Sequence, residues 1–155
     1  MNLDRKNLRI ALVDDDEVDR ELLQRGLIQM GFTHPLVQLR NGSIALEYFK
    51  YTKATGALAP HIVLLDINMP LIDGVRALHR LREASSFRDL PVIILSADEN
   101  PAKMKEVEAV GIFRFVKKQP DCDDVVSALD DFIRSSNGEG SSSPAKDRLA
   151  APLTA

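Results

Sequence analysis

The segment Ile62-Val63-Leu64-Leu65-Asp66-Ile67-Asn68-Met69-Pro70-Leu71-Ile72-Asp73-Gly74 opens on four aliphatic residues without polar alternation and then turns acidic. A strand with one wet face alternates apolar and polar residues, whereas an unbroken aliphatic run fits a parallel strand covered by helices on both faces. Pro70 and Asp73-Gly74 then supply a turn and a helix start. One strand, one carboxylate at its end and one helix behind it form the unit from which the rest of the chain is read.

The same unit recurs in both directions. Apolar runs at Leu8–Val13, Leu36–Leu39, Val92–Leu95 and Phe113–Val116 join Ile62–Leu65, and a helical pattern follows each of the five. On the first helix Val18, Leu22, Gly26 and Met30 share a face, with Leu23 and Leu27 beside them. Ala45 pairs with Phe49, and Ile44 with Tyr48 and Tyr51. Val75, Leu78 and Leu81 mark the third helix, Met104, Val107 and Val110 the fourth, and Val125, Leu129, Phe132 and Ile133 the fifth. Helix starts are expected at Asp16, at Asn41 or Ser43, and at Asn100-Pro101. Asp121 to Asp124 puts negative charge where the dipole of the fifth helix favours it. Strict alternation implies right-handed crossovers and an open α/β sheet of (βα)5 type in a single domain, with strand order left undecided by alternation itself.

The expected domain spans 8–134, behind a lead of residues 1–7 and ahead of a Gly/Ser-rich C-terminal tail, 135–155, that cannot bury a core. The chain has 155 residues, a net charge of −3, 45% hydrophobic and 28% charged residues, and a single cysteine. Mixed charge without a basic arm argues against nucleic acid as a partner. Lone Cys122 excludes an internal disulfide framework and suits a reducing compartment. The charged N-terminus has no signal-peptide pattern, and no apolar run approaches a membrane span. The expectation is a soluble, cytoplasmic protein.

Ligands of open α/β sheets bind beyond the carboxyl ends of the strands. There the first strand delivers Asp14-Asp15-Asp16, the third Asp66, the fourth Ser96-Ala97 and the fifth Lys117-Lys118. Crowded carboxylates repel one another, and burial raises their pKa values. A divalent cation resolves that conflict, and hard oxygen ligands without His or Cys favour magnesium, or manganese, over zinc. Lys117 and the Ser96 hydroxyl would face an incoming anion. Such a set suits phosphoryl transfer, which depends on positioning and charge neutralisation.

Leu12-Val13-Asp14-Asp15, Leu64-Leu65-Asp66-Ile67-Asn68-Met69-Pro70 with Asp73-Gly74, Ile94-Leu95-Ser96-Ala97 and Phe115-Val116-Lys117 together resemble the receiver domain of two-component response regulators. The resemblance covers Leu8 to Arg134 and implies a flavodoxin-like sheet of order 2-1-3-4-5. It implies that Asp66 accepts a phosphoryl group from a sensor histidine kinase, and that Asp14, Asp15, Asp66 and the backbone carbonyl of Asn68 hold magnesium. It further implies that Ser96, the backbone N–H of Ala97 and Lys117 bind the phosphoryl oxygens, and that Asn68 and Asp98 tune dephosphorylation. A stand-alone regulator would signal by protein–protein contact, assisting its own phosphorylation and dephosphorylation without a separate catalytic domain. Family members also commonly form homodimers through the fourth and fifth helices. The stretch Tyr51–Pro60 and Leu71-Ile72-Asp73-Gly74 are similar to small regulators that partner bacterial phytochrome kinases.

Three features depart from the family pattern. Lys118 follows Lys117 where proline is usual, Arg114 stands three before Lys117 where an aromatic is usual, and Gly111–Lys117 is one residue short. They support an alternative, a pseudo-receiver that binds its partner as a scaffold without phosphorylation. Two enzyme-like readings fit less well. Aspartate-nucleophile phosphatases need a second aspartate where this chain has Asn68, and an FMN phosphate would be repelled by Asp14–Asp16.

Overall fold

The computed structural model describes residues 2–69, 73–84, 86–97 and 100–139. Five strands alternate with five helices: β1 (Ile10–Val13), α1 (Glu17–Gln29), β2 (Val37–Leu39), α2 (Gly42–Thr55), β3 (Ile62–Asp66), α3 (Gly74–Glu83), β4 (Val92–Ser96), α4 (Pro101–Val110), β5 (Arg114–Lys117) and α5 (Asp123–Ser136). All pairings are parallel, and the sheet order is β2-β1-β3-β4-β5. The chain therefore has the flavodoxin-like (βα)5 architecture in one domain, as its alternation and its family resemblance led us to expect.

Two apolar cores lie on opposite faces of the sheet. Ile10, Leu12, Ile62, Leu64, Ile93, Leu95 and Val116 pack with α1 and α5, while Ala11, Val13, Val63, Leu65, Ile94 and Phe115 pack with α2, α3 and α4. Successive strand residues point to opposite faces, so sequence parity assigns each side chain to one core. The central strands β3 and β4 are buried along their whole length, which accounts for their lack of polar alternation.

The expected helix starts are borne out at three positions. The side chains of Asp16, Asn41 and Asn100 each accept a bond from a first-turn backbone N–H, and Pro101 occupies the first helical position of α4. Asn41, not Ser43, caps α2. Helix α1 differs from expectation in its inward face. Leu27 is fully buried and Leu23 packs beside it, whereas Val18 and Leu22 are 65% and 58% exposed. Both stripes have helical spacing, so the sequence did not specify which one faces the sheet.

The two ends of the domain meet. Leu3 and Asn137 exchange two hydrogen bonds, Leu3 N–H to Oδ1 and Nδ2 to the Leu3 carbonyl, at 2.9 and 2.8 Å. Arg5 pairs with Asp130 of α5 at 2.6 Å and lies over the Phe32 ring. The lead of residues 2–7 is thus docked on α5, and α5 runs two residues past the boundary expected at 134. Residues 140–155, most of the expected tail, lie outside the described residues. A second tie is Arg82 of α3, which donates to the carbonyls of Phe87, Leu90 and Gly111 and so fixes the loops leading into β4 and β5. Burial lowers its pKa, with Asp89 acting in the opposite direction.

Candidate functional site: an acidic rim with one inward lysine

Three strands bring charge to the carboxyl rim on a single face. Leu12, Leu64 and Val116 share the core beneath α1 and α5. Two residues on, the same parity carries Asp14, Asp66 and Lys118. These three side chains meet: Lys118 Nζ lies 2.9 Å from Asp14 Oδ2 and 3.4 Å from Asp66 Oδ2. Asp19, from the first turn of α1, completes the surround at 3.1 Å.

This placement corrects the assignment of Lys117. Lys117 pairs with Ser96 in the β4–β5 ladder, its side chain is exposed, and its parity is that of Phe115, on the sheet's other face. The ammonium at the site belongs to Lys118. An apolar run followed by Lys117-Lys118 makes the first lysine look like the strand end, but two-residue alternation from Val116 selects the second. Counting from Lys118 also removes two of the departures: Phe115 stands three residues before it, and the preceding segment gains the residue it lacked. The Lys118 backbone N–H donates to the Ser96 carbonyl at 2.7 Å, which ties the lysine loop to the end of β4.

The acids are held in distinct ways. Asp14 and Asp66 are only 2% and 4% exposed, whereas Asp15 is exposed. Asp14 Oδ1 accepts from the Asp16 N–H at 2.9 Å, and Asp66 Oδ1 accepts from the Asn68 N–H at 3.1 Å. Carboxylate oxygens of Asp14, Asp15 and Asp66 lie within 4.8 Å of one another. Burial, reinforced by the Asp14 charge, pushes the Asp66 carboxyl up to about 6; the Asn68 amide and Lys118 only partly restrain the rise. Lys118 moves the other way from a buried lysine. Burial disfavours its charge, but the Asp14 hydrogen bond, the charges of Asp66 and Asp14 and the Asp19 hydrogen bond outweigh it and raise its pKa.

A divalent cation fits this donor set. Three hard oxygen donors from two strands converge, Lys118 is the one ammonium against them among the described residues, and a bound cation would relieve the cost of burying Asp14 and Asp66.

The rest of the expected set is distributed around this centre. Ser96, 1% exposed, ends β4, and Ala97 is exposed just beyond it. Asn68 is exposed beside Asp66, and its Oδ1 accepts from Lys103 Nζ of α4 at 3.1 Å, a link absent from the sequence reading. Asp98, Pro70, Leu71 and Ile72 lie outside the described residues. Gly74 has a steric role: a Cβ there would stand 2.4 Å from the Asp66 carbonyl oxygen and 2.5 Å from Ile67 Cα. Its N–H donates to the Ile67 carbonyl at 3.1 Å, so α3 starts directly against the acceptor loop. Among the described residues, no helix is long and apolar enough to cross a membrane.

Comparison with known proteins adds family relationships to this geometry. The sequence profile of the response regulator receiver domain matches residues 10–130. The crystal structure of the phosphorylated cyanobacterial phytochrome response regulator RcpA superposes with a TM-score of 0.72 at 25% identity, covering 83% of this chain and 95% of that one. The bacteriophytochrome response regulator AtBRR gives 0.69 at 28% identity, over 81% and 92%. Response regulator Rcp1 of Synechocystis is 29% identical over 92 residues, 59% of this chain and 63% of its own. Its Mn2+-bound crystal form shares the fold, with a TM-score of 0.67 at 24% identity over 79% of this chain and 88% of that one.

Proposed function

This chain belongs to the response regulator receiver domain family, and on that premise we propose that Asp66 accepts a phosphoryl group from a sensor histidine kinase. One observation carries the reading: the nearly buried carboxylates of Asp14 and Asp66 share an inward ammonium at the rim of the sheet. In the transfer, an Asp66 carboxylate oxygen forms a bond to phosphorus as the phosphorus–nitrogen bond of phosphohistidine breaks. The bonding pair leaves on the imidazole, which takes up a proton. The aspartyl phosphate is a mixed anhydride; water attacking its phosphorus regenerates the carboxylate and releases inorganic phosphate.

The chain's own groups position these events. The Asn68 amide holds Asp66 Oδ1, while Oδ2 faces Lys118. The ammonium is therefore placed to receive a phosphoryl oxygen added at Asp66. Ser96 and the Ala97 N–H, at the adjoining strand end, are the proposed contacts for the other phosphoryl oxygens. Magnesium, or manganese, would be held by Asp14, Asp15, Asp66 and the Asn68 carbonyl, and it supplies neutralisation of charge that builds up on the transferring group. The phosphorylated state would bias pre-existing conformations of a protein-binding surface, so the output is contact with a partner. Lys103 on α4, reaching Asn68, is one physical link from the site to a helix.

The scaffold alternative drew its support from the departures around the lysine, and the Lys118 register removes two of them. Acetyl phosphate with magnesium should add one phosphoryl group by intact mass, and Asp66→Asn should abolish the gain. No gain in the wild type, or a gain that survives Asp66→Asn, would favour a scaffold. The likeness to RcpA and AtBRR puts phytochrome-type histidine kinases first among donors. Phosphotransfer profiling against the histidine kinases of the source genome tests this, and preferential labelling by another kinase class would refute it.

A further inference from the structure

Lys118 has three N–H donors and three carboxylates around it: Asp14 at 2.9 Å, Asp19 at 3.1 Å and Asp66 at 3.4 Å. The partners are not equivalent. Asp14 and Asp66 belong to the trio of acids whose oxygens converge as metal donors, and Asp19 does not. A cation held by Asp14 and Asp66 draws on the negative charge that otherwise attracts the ammonium, and a phosphoryl group changes Asp66 itself. Asp19 is the one partner whose charge neither event consumes.

From this asymmetry we infer that Asp19 is a positioning residue for Lys118, anchoring the ammonium at the rim through metal loading and phosphorylation. The inference rests on the receiver reading and extends it to a residue outside the family motifs. Asp19 is itself well placed to act as an anchor. Its backbone N–H donates to Asp16 Oδ1 at 2.9 Å, and neighbouring Arg20 donates from Nη1 to the Asp14 carbonyl at 2.7 Å. The first turn of α1 is thereby tied to the end of β1, and Asp19 is fixed relative to the acids it serves. A lysine carries a flexible four-carbon stem, so holding its head in place beforehand lowers the ordering cost of meeting a phosphoryl oxygen.

A simpler account is that an acid in the first turn of α1 only complements the helix dipole. The two accounts differ in sign. If Asp19 is merely one more negative charge near an anionic donor, removing it should speed phosphorylation; if it anchors Lys118, removing it should slow phosphorylation.

The test uses the full chain with Asp19→Asn, which keeps the side-chain shape and the backbone cap, in magnesium throughout. Limiting acetic anhydride labels exposed amines, and fragment mass spectrometry gives the Lys118 to Lys117 labelling ratio, with solvent-facing Lys117 as internal reference. We expect that ratio to rise about two- to fivefold in Asp19→Asn, the loss of one partly exposed ion pair. Phosphorylation by acetyl phosphate should slow by a similar factor, and Asp19→Asn should cause no further slowing in a Lys118→Ala background. An unchanged labelling ratio, uptake as fast as wild type or faster, or equal slowing in both backgrounds would overturn the inference. Should the wild type take up no phosphoryl group, the receiver reading fails, while the labelling ratio still decides the role of Asp19.

Discussion

Two ionic clusters sit at opposite ends of β5, and they differ in the charge left over. At the amino end, Arg114 pairs with Asp131 at 2.7 Å, Asp131 also takes Arg134, and Arg5 pairs with Asp130 at 2.6 Å along the same helix. Three arginines meet two aspartates, and these pairs tie β5 and the N-terminal lead to α5. Beyond the carboxyl end, Lys118 is the one cation among the described residues that pairs with Asp14, Asp19 and Asp66, with Asp15 close by. The first cluster is left with one positive charge in excess, and Arg5 and Arg134 reach solvent, which screens it. The second keeps an excess of negative charge under burial, an arrangement that costs stability unless a cation is bound. A surplus of negative charge on buried carboxylates, rather than the number of ion pairs, distinguishes the reactive rim from the structural one.

The sharpest test of this contrast removes the cation the rim does have. Lys118→Ala should slow phosphorylation by acetyl phosphate about 10²- to 10³-fold, the usual cost of deleting one donor aimed at developing charge. Lys117→Ala should stay within about twofold, since an exposed side chain on the other face touches none of the acids. Equal losses in the two variants would break the assignment of Lys118. A comparably large effect, on stability, is expected at Gly74. In Gly74→Ala the new methyl meets backbone at the end of β3, which cannot move away as a side-chain tip can. Urea unfolding should show a loss of about 3 kcal/mol; a loss under 1 kcal/mol would mean that the start of α3 shifts freely.

Metal-free stability probes the surplus itself. Burial pushes the Asp66 carboxyl up to about 6, well above the ordinary range of an aspartate. A raised acid pKa means the native state binds the proton more tightly than the unfolded chain. Stability from this group is therefore full below pH 4, falls as pH rises toward 6, and is flat above. At pH 7 Asp66→Asn should stabilise the metal-free protein by about 2 to 3 kcal/mol and flatten its pH profile between 4 and 6. Magnesium should raise the melting temperature of the wild type more than that of the variant. A destabilised Asp66→Asn protein at pH 7 would show that Lys118 already balances the rim.

The fold and the acceptor were legible because each rests on a local pattern. The bare aliphatic runs of β3 and β4, the caps at Asp16 and Asn100, and the position of Asp66 directly after four core residues all follow from periods of two or 3.6. Long-range choices were less legible. Which stripe of α1 faces inward depends on the sheet beneath it, and both Val18/Leu22 and Leu23/Leu27 satisfy the spacing. Lys118 could have been found by carrying alternation past Val116, but the end of an apolar run drew the assignment to Lys117. Asp19 and Lys103 act on partners far along the chain, as Arg82 does on Gly111, and nothing in their immediate sequence announces those contacts. The backbone pattern places a rim; three dimensions choose its occupants.

The smallest expected effect lies at the amino-end cluster. Arg114 and Asp131 are each only 13% exposed, so deleting one partner of such a pair usually costs several kcal/mol by stranding the other. Here the stranding is incomplete, because Asp131 retains Arg134. Arg114 also brings a cost of its own, since its buried Nε has no hydrogen-bond partner. Arg114→Met keeps an unbranched apolar stem, gives up the guanidinium that lies over the Phe113 ring, and removes that orphaned donor. Unfolding in urea should show a loss of only about 1 kcal/mol, with phosphorylation kinetics unchanged. A loss above 3 kcal/mol would mean that Arg134 cannot hold Asp131 by itself. In that case the amino-end cluster too depends on one cation, and surplus charge would no longer separate the structural end of β5 from the reactive one.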